Sequence, residues 1–314
     1  MMSRLLNPFL KMPEDKTLLL VDGNALIHRA FHAYPALTHE GKPINCVYGF
    51  ARMFIRALTQ LKPHYAIVTF DLAKKTFRHE KFALYKAHRV AAPQALYDQI
   101  PMVHALVEAF GFPAVGVEGY EADDVIATFT RKAREHKLNV AIMTGDKDTF
   151  QLVSEGVSVF TPSNGNQRGL QEVTPEQVLE RLGVEPTKVA ALKALAGDPS
   201  DNISGVPGIG AKTAAMLLKE FTSLEELLSG AKAGDSRIPE RLARVLSSHE
   251  QEARNAYELV LLVDDIPITL NLTHSTTAHA LSRPALHRMC AELNFESLLK
   301  ILPPPSHTQQ KALF

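Results

Sequence analysis

The chain has 314 residues, 46% hydrophobic and 22% charged, and its 34 Lys+Arg balance 34 Asp+Glu to a formal net charge of zero. That composition excludes a disordered, collagen-like or fibrous chain, and the length predicts about two domains. A zero balance also argues, at face value, against a nucleic-acid binder, which ordinarily carries a basic excess. The two cysteines, Cys46 and Cys290, lie far apart, so no disulfide framework or C-x-x-C pair is expected and both read as reduced thiols. The opening MMSRLLNPFLKMPEDK has no apolar core followed by a small-residue cleavage site. No apolar run approaches the ~18 residues of a membrane span. The expectation is a soluble, cytoplasmic protein.

In chain order, Thr17–Val21 reads as a buried strand and Tyr48–Leu61 as a helix with Phe50, Phe54, Ala57, Leu58 and Leu61 at helical spacing. A strand over Ala66–Phe70, a helix over Pro101–Phe110 and a strand over Pro113–Val117 follow. Ala122–His136 reads as a helix with Val125, Ile126 and Phe129 inward, and Val140–Met143 and Val157–Phe160 as two more strands. Continuous apolar strands alternating with helices predict an α/β fold built on a parallel sheet covered on both faces. Thr174-Pro175 then opens a helix, with Thr as cap and Pro in the first turn. Short helices dominate to about Ala256, a β-like run covers Glu258–Val263, and a short helix lies near Leu298. The change of character places a boundary near 170–185. The expected units are an N-terminal extension (1–16), a catalytic domain (17–180), a helical subdomain (181–300) and a flexible tail (303–314).

Several strand-like runs end in acid. Val21 is followed by Asp22 and Phe70 by Asp71; Val117 leads into Glu121, Asp123 and Asp124, and Met143 into Asp146 and Asp148. In parallel α/β sheets ligands bind beyond the carboxyl ends of the strands, so these acids should share one edge. Asp198 and Asp201 form a further i,i+3 pair on one side of a helical turn. Taken singly, each is explained as a helix cap or a turn former. Nine carboxylates converging on one edge would repel strongly without a neutralising ion. An oxygen-only donor set favours Mg²⁺ or Mn²⁺ over Zn²⁺. So many acids can hold two ions, which at about 3.5–4 Å apart clamp both oxygens of a phosphoryl displacement. The reaction class this suggests is phosphodiester hydrolysis.

Directly after Asp71, residues 72–92 hold six Lys/Arg against the single acid Glu80, a local charge of +5, with Phe77, Phe82 and Tyr85 interleaved. Basic residues that follow a backbone and aromatics that stack bases suit single-strand handling. Farther on, GVPGIGAKTAA (205–215) departs from a Walker A loop because Ala211 separates Gly210 from Lys212 and no strand precedes it. It reads instead as a helix–hairpin–helix, a Gly-rich turn opening a helix whose free N–H groups meet phosphate. Such contacts set position on a duplex without reading its sequence.

Five stretches carry a resemblance: LLLVDGNALIHRAFHA (18–33), FRHEKFALYKAHR (77–89), GYEADDVIATF (119–129), TGDKDTFQLV (144–153) and GDPSDNISGVPGIGAKTA (197–214). In this order the chain resembles the bacterial 5′–3′ exonuclease and flap endonuclease family, over roughly residues 16–300. The resemblance implies a PIN-like nuclease core with a helical arch, cleaving DNA with a free 5′ end or 5′ flap near the single-strand/duplex junction. It implies Asp22, Asp71, Glu121, Asp123, Asp124, Asp146, Asp148, Asp198 and Asp201 as metal ligands, the 146/148 and 198/201 pairs serving the second metal position. Asp22, Asp71 and Asp124, with Lys86 and Arg89 of the arch, are the expected catalytic set. Arg78 and Tyr85 match flanking arch positions that contact DNA. Gly208, Gly210, Lys212 and Thr213 match the duplex-binding hairpin, where the family also holds K⁺ through backbone carbonyls.

The final QKALF, after a Pro-rich spacer, resembles the Q-x-x-L-F peptide by which bacterial replication proteins dock on the sliding clamp. Gln310, Leu313 and Phe314 would make that contact, and a chain ending there resembles a stand-alone nuclease, monomeric by default. The rival readings are a PIN-type ribonuclease, which needs neither arch nor hairpin, and a non-catalytic DNA-structure binder, which needs no complete acid set. Removing the nine site acids from 34 leaves 25 against 34 basic residues, a surplus of nine on the rest of the chain. Net zero is thus a sum over an acidic pocket and a basic surface.

Overall fold

The computed structural model describes residues 16–72, 74–162 and 169–306. The first half comprises Thr17–Asp22 (β1), Gly23–Ala33 (α1), Thr38–His39 (β2), Lys42–Pro43 (β3), Asn45–Leu61 (α2), Tyr65–Thr69 (β4) and Phe77–Lys81 (α3). It continues with Gln94–Tyr97 (α4), Ile100–Phe110 (α5), Ala114–Val115 (β5), Ala122–Glu135 (α6), Asn139–Met143 (β6), Val157–Pro162 (β7) and Leu170–Val173 (β8). The second half is helical: Pro175–Leu182 (α7), Val189–Ala196 (α8), Ala211–Glu220 (α9), Leu224–Ala233 (α10), Glu240–Ser248 (α11), Glu250–Val260 (α12), Pro284–Glu292 (α13) and Glu296–Leu299 (α14).

Six strands form one sheet in the order β5-β4-β1-β6-β7-β8, parallel throughout except for the β7–β8 pair. Alternate residues of a strand face opposite sides. Leu18 and Leu20 of β1 therefore enter one apolar cluster and Leu19 and Val21 the other, all four without exposed surface. The split repeats in β6, with Val140 and Ile142 on the first face and Ala141 and Met143 on the second. Helix α6 and helices α7 to α12 contribute to the first cluster; α1, α2, α5, α13 and α14 contribute to the second. The helical half thus shares a core with the sheet, and the last two helices return to its opposite face.

The expected α/β architecture is present, with three local differences. The sheet ends in an antiparallel strand, β8, and the strand expected over Pro113–Val117 is reduced to Ala114–Val115. The run expected as β at Glu258–Val263 instead begins inside α12, because Ala253, Ala256, Leu259 and Val260 are buried at helical spacing. Beyond Val260 the chain is extended but joins no strand.

Local chemistry explains the helix ends near the site. Asp22 caps α1 through its carboxylate, and Thr174 forms a capping box with Gln177 ahead of Pro175. β1 lies between β4 and β6, and chain connections leave it in both directions, which makes the carboxyl end of β1 the topological switch point.

Candidate active site

The acids expected beyond the strands do share one edge. Asp22 Oδ1 accepts from Ala25 N at 2.9 Å, and its Oδ2 accepts from the Thr144 hydroxyl at 2.8 Å. Asp71 Oδ1 accepts from Ala122 N at 2.7 Å, while Asp71 N donates to Asn24 Oδ1 at 3.0 Å. These bonds tie the ends of β1, β4 and β6 to the first turns of α1 and α6. Asp146 belongs to the same group; its Oδ1 accepts from Asp148 N at 2.9 Å. Burial pushes the Asp22 carboxyl up to about 7, against its two hydrogen bonds and with added repulsion from Asp71 and Asp146. Burial also raises Asp71, with Glu121 adding to it, and raises Asp146, with Asp201 adding to it. Asp123 is raised well above the usual carboxylate range by burial and by Asp146, Asp22 and Asp71. Its Oδ1 is buried and receives no hydrogen bond.

A second acid group lies beside the first. Ligand oxygens of Asp148, Asp198 and Asp201 fall within 4.8 Å of one another. Asp198 and Ile203 exchange two backbone hydrogen bonds of 2.9 Å, so the 198–203 turn closes on itself. The turn also requires glycine: a Cβ on Gly205 would meet Gly197 N at 2.3 Å. Lys193 of α8 was not foreseen from the sequence. Its ammonium contacts Asp148 Oδ1 and donates to Asp198 Oδ2 at 2.6 Å. Burial acts to raise the Asp198 carboxyl, but hydrogen bonds from Lys193 and Ser200 outweigh it and hold that group low. A single charged residue in the otherwise apolar α8, VAALKALA, was the available signal.

The basic segment after Asp71 folds over these acids. Lys86 donates from Nζ to Glu121 Oε1 at 2.7 Å, and its backbone N donates to Asp201 O at 3.0 Å. Arg89 donates to Asp201 Oδ1 at 2.6 Å. Both arch cations thus stand at the acid edge, as expected. Among the described residues the arch is helical only over α3; the chain then runs through turns, with Lys86 at φ 54°.

Three expectations are corrected. Arg78, expected to contact DNA, is 1% exposed; it makes a two-point ion pair with Asp124 at 2.6 and 2.8 Å and donates to the carbonyls of Leu259 and Leu261. Four of the five guanidinium N–H groups are thus used, and Nη1 also lies 3.5 Å from Glu121 Oε2, so the buried group offers no free face to a phosphate. Asp124, expected as a metal ligand and catalytic acid, is 0% exposed, and its oxygens accept from Arg78 and from the backbone N–H groups of Val263 and Glu121. Those four bonds occupy the acceptor positions a metal would need. Tyr85, expected to touch DNA, is 3% exposed and donates toward both Glu121 Oε2 and Asp201 Oδ2. It bridges the two acid groups and does not present a stacking face.

The hairpin lies between α8 and α9, with Val206 and Ile209 buried beneath the turn. Gly208 (φ 77°), Gly210 and Lys212 are exposed and Thr213 is half-buried, so the first turn of α9 faces outward. Gln310, Leu313 and Phe314 lie outside the described residues.

The residues fit a hard cation. The donors are all oxygen, one buried carboxylate oxygen has no partner, and the grouped acids push each other's protonation upward. Among the described residues Asp148, Asp198 and Asp201 have ligand oxygens within 4.8 Å of one another, while Asp22, Asp71, Asp123 and Asp146 interact through their charges; Asp146, expected beside Asp148 at the second metal position, thus interacts with Asp22 and Asp123 of the first.

The parallel sheet thus carries an acidic edge that faces Lys86 and Arg89, with an outward-facing hairpin beside it. Residues 17–183 match the family model described as 5′–3′ exonuclease, N-terminal resolvase-like domain, and residues 184–282 match 5′–3′ exonuclease, C-terminal SAM fold. The chain belongs to the 5′–3′ exonuclease family. It is 38% identical over 300 residues to DNA polymerase I of Bacillus caldotenax, covering 95% of this chain and 34% of that protein. It is 39% identical over 282 residues to the thermostable DNA polymerase I of Thermus thermophilus, covering 90% of this chain and 32% of that one. The chain therefore spans about a third of the length of these relatives. Among solved structures, the T5 5′-exonuclease with bound zinc ions aligns at TM-score 0.62 and 25% identity, covering 89% of this chain and 99% of that one. The catalytic core of Rad2 in complex with DNA substrate shares the fold at TM-score 0.55 and 17% identity, over 92% of each chain.

Proposed function

We propose that the protein is a divalent-metal-dependent, structure-specific 5′–3′ exonuclease and 5′-flap endonuclease, acting in primer removal and repair. The observation that carries this reading is the joint placement of two acid groups, Lys86 and Arg89 on one sheet edge, with an unpartnered Asp123 oxygen inside it. Asp22, Asp71, Glu121, Asp123 and Asp146 would hold one Mg²⁺ or Mn²⁺, and Asp148, Asp198 and Asp201 a second. When bound, such ions lower the pKa of water and polarise a phosphoryl oxygen.

The chain's own residues do the rest. The exposed Gly208 and Gly210 and the head of α9, with Lys212 and Thr213, grip duplex phosphates without reading bases; backbone carbonyls of that turn would hold K⁺. The junction then lies against the acid edge. Unpairing the terminal nucleotides costs a few kcal/mol. Lys86 and Arg89 exchange Glu121 and Asp201 for the scissile phosphate and stabilise the charge that develops there. Tyr85 keeps Glu121 and Asp201 at fixed separation through its hydroxyl. The units 17–180 and 181–300 divide the work into chemistry and duplex binding, and the monomer is sufficient for both. The 310–314 peptide docks on a sliding clamp; its deletion should abolish retention on clamp-loaded DNA, and unchanged retention would refute this.

The test is to incubate a labelled 5′-flap duplex, a single-stranded RNA and a blunt duplex with Mg²⁺. Incision of the flap near its junction, with the RNA intact, is expected. Preferential cleavage of the RNA would assign a PIN-type ribonuclease, and binding without cleavage would assign a DNA-structure binder.

A further inference from the structure

Arg78 and Asp124 lie behind the groups that would meet substrate or cation, with Arg78 Nη1 3.5 Å from Glu121 Oε2. Both are buried, and their pairing is two-point. Their remaining hydrogen bonds reach two further segments, 259–263 and the head of α6. Arg78 Nε donates to Leu259 O at 2.7 Å and its Nη2 to Leu261 O at 3.0 Å. Asp124 Oδ1 accepts from Val263 N at 3.0 Å, and Asp124 Oδ2 accepts from Glu121 N at 3.1 Å. One ion pair therefore joins the foot of the arch, the head of α6 and the segment leaving α12. Helix α12 packs on α8, which carries Lys193 and runs into the 198–203 turn. Glu121 and Asp123, the α6 acids of the site, lie within three residues of Asp124.

We propose that Arg78 and Asp124 act as a positioning pair, holding the arch and the α6 acids in register with the helical half that grips the duplex. This rests on the nuclease reading above. The pair touches neither DNA nor cation; it acts through Glu121, Asp123 and Lys86. Charge burial explains why it must work as a unit: removing one partner leaves the other buried and unpaired, whereas removing both does not.

The experiment is a double-mutant cycle of Arg78→Met, Asp124→Asn and both together, read by Mn²⁺ affinity in calorimetry and by kcat and KM on a 5′-flap duplex. Arg78→Met should lower kcat and Mn²⁺ affinity by about tenfold or more, and the double variant should recover about threefold over Arg78→Met. Arg78→Lys keeps the charge and the fold but loses the forked geometry. It should lower kcat while leaving KM and flap binding in EDTA unchanged. A double variant worse than either single, by the product of their effects, would make Asp124 an independent ligand and overturn the proposal. So would an Arg78→Lys effect confined to flap binding, which would return Arg78 to the DNA. A native protein that binds Mn²⁺ yet leaves the flap uncut would refute the nuclease reading alone, since the cycle is still decided by Mn²⁺ affinity.

Discussion

Lys193 provides the sharpest test of how the second acid group is balanced. Its ammonium lies between Asp148 and Asp198, with 20% of the side chain exposed against 16% and 7% for the two acids. Lys193→Met removes that charge and keeps the apolar stem. Two unit charges 4.8 Å apart, the outer separation of the ligand oxygens in this group, repel by about 3.5 kcal/mol at an effective dielectric of about 20. Solvent reaches part of the cluster, and the ammonium's own desolvation is relieved in the variant, so the expected net loss is about 2 kcal/mol. Urea unfolding in EDTA should show that loss. In saturating Mg²⁺ the variant should regain it, because a bound cation replaces the missing charge and stabilises only the folded state. The same 2 kcal/mol appears as about thirtyfold tighter Mg²⁺ binding. An equal loss with and without Mg²⁺, together with unchanged Mg²⁺ affinity, would refute the reasoning.

Other outcomes follow from the same geometry. Asp22, Asp71, Asp123 and Asp146 all have raised folded-state values, so the folded state holds protons that the unfolded state releases. Without divalent ions, the contribution of these four acids to stability should therefore be fully present below the unfolded carboxylate range and be lost as pH rises toward about 7, the Asp22 value; Mg²⁺ should flatten that slope, and a metal-free protein that loses no stability between pH 5 and pH 8 would contradict it. Asp123→Asn removes a buried, repelled charge and should raise metal-free stability by about 1 kcal/mol while lowering cleavage at least a hundredfold, as read by urea unfolding and flap incision. Flap-duplex affinity should fall steeply with salt despite the neutral net charge, and Lys212→Ala should lower the logarithmic salt slope by about 1 in fluorescence anisotropy titrations.

The part of the site that was legible in the sequence is the part built from local pattern. Asp22, Asp71 and Asp146 each follow an apolar strand, and strand direction in a parallel sheet places such residues on one edge. The Gly-rich turn before Lys212 was legible for the same reason. What escaped reading depends on partners distant in the chain. Arg78 sits in a basic run that looks solvent-facing, and its burial is decided by Asp124 and by carbonyls 181 and 183 residues away. Asp124 resembles its neighbour Asp123 in sequence, yet one has every oxygen bonded and the other has an oxygen with no partner. Lys193 escaped notice because its counter-charges come from the 148 and 198 turns. Residues 258–260 became helix because packing against α8 overrides a weak strand preference.

Whether the two acid groups form one phosphodiester-cleaving centre is decided by the incision rate of a labelled 5′-flap duplex with the protein and with its Asp146→Ala/Asp148→Ala variant in Mg²⁺, beside flap binding in Ca²⁺. Incision near the junction by the unaltered protein, leaving a 5′-phosphate, is expected, with no incision by the variant and binding in Ca²⁺ largely retained. Undiminished cleavage by the double variant would contradict it.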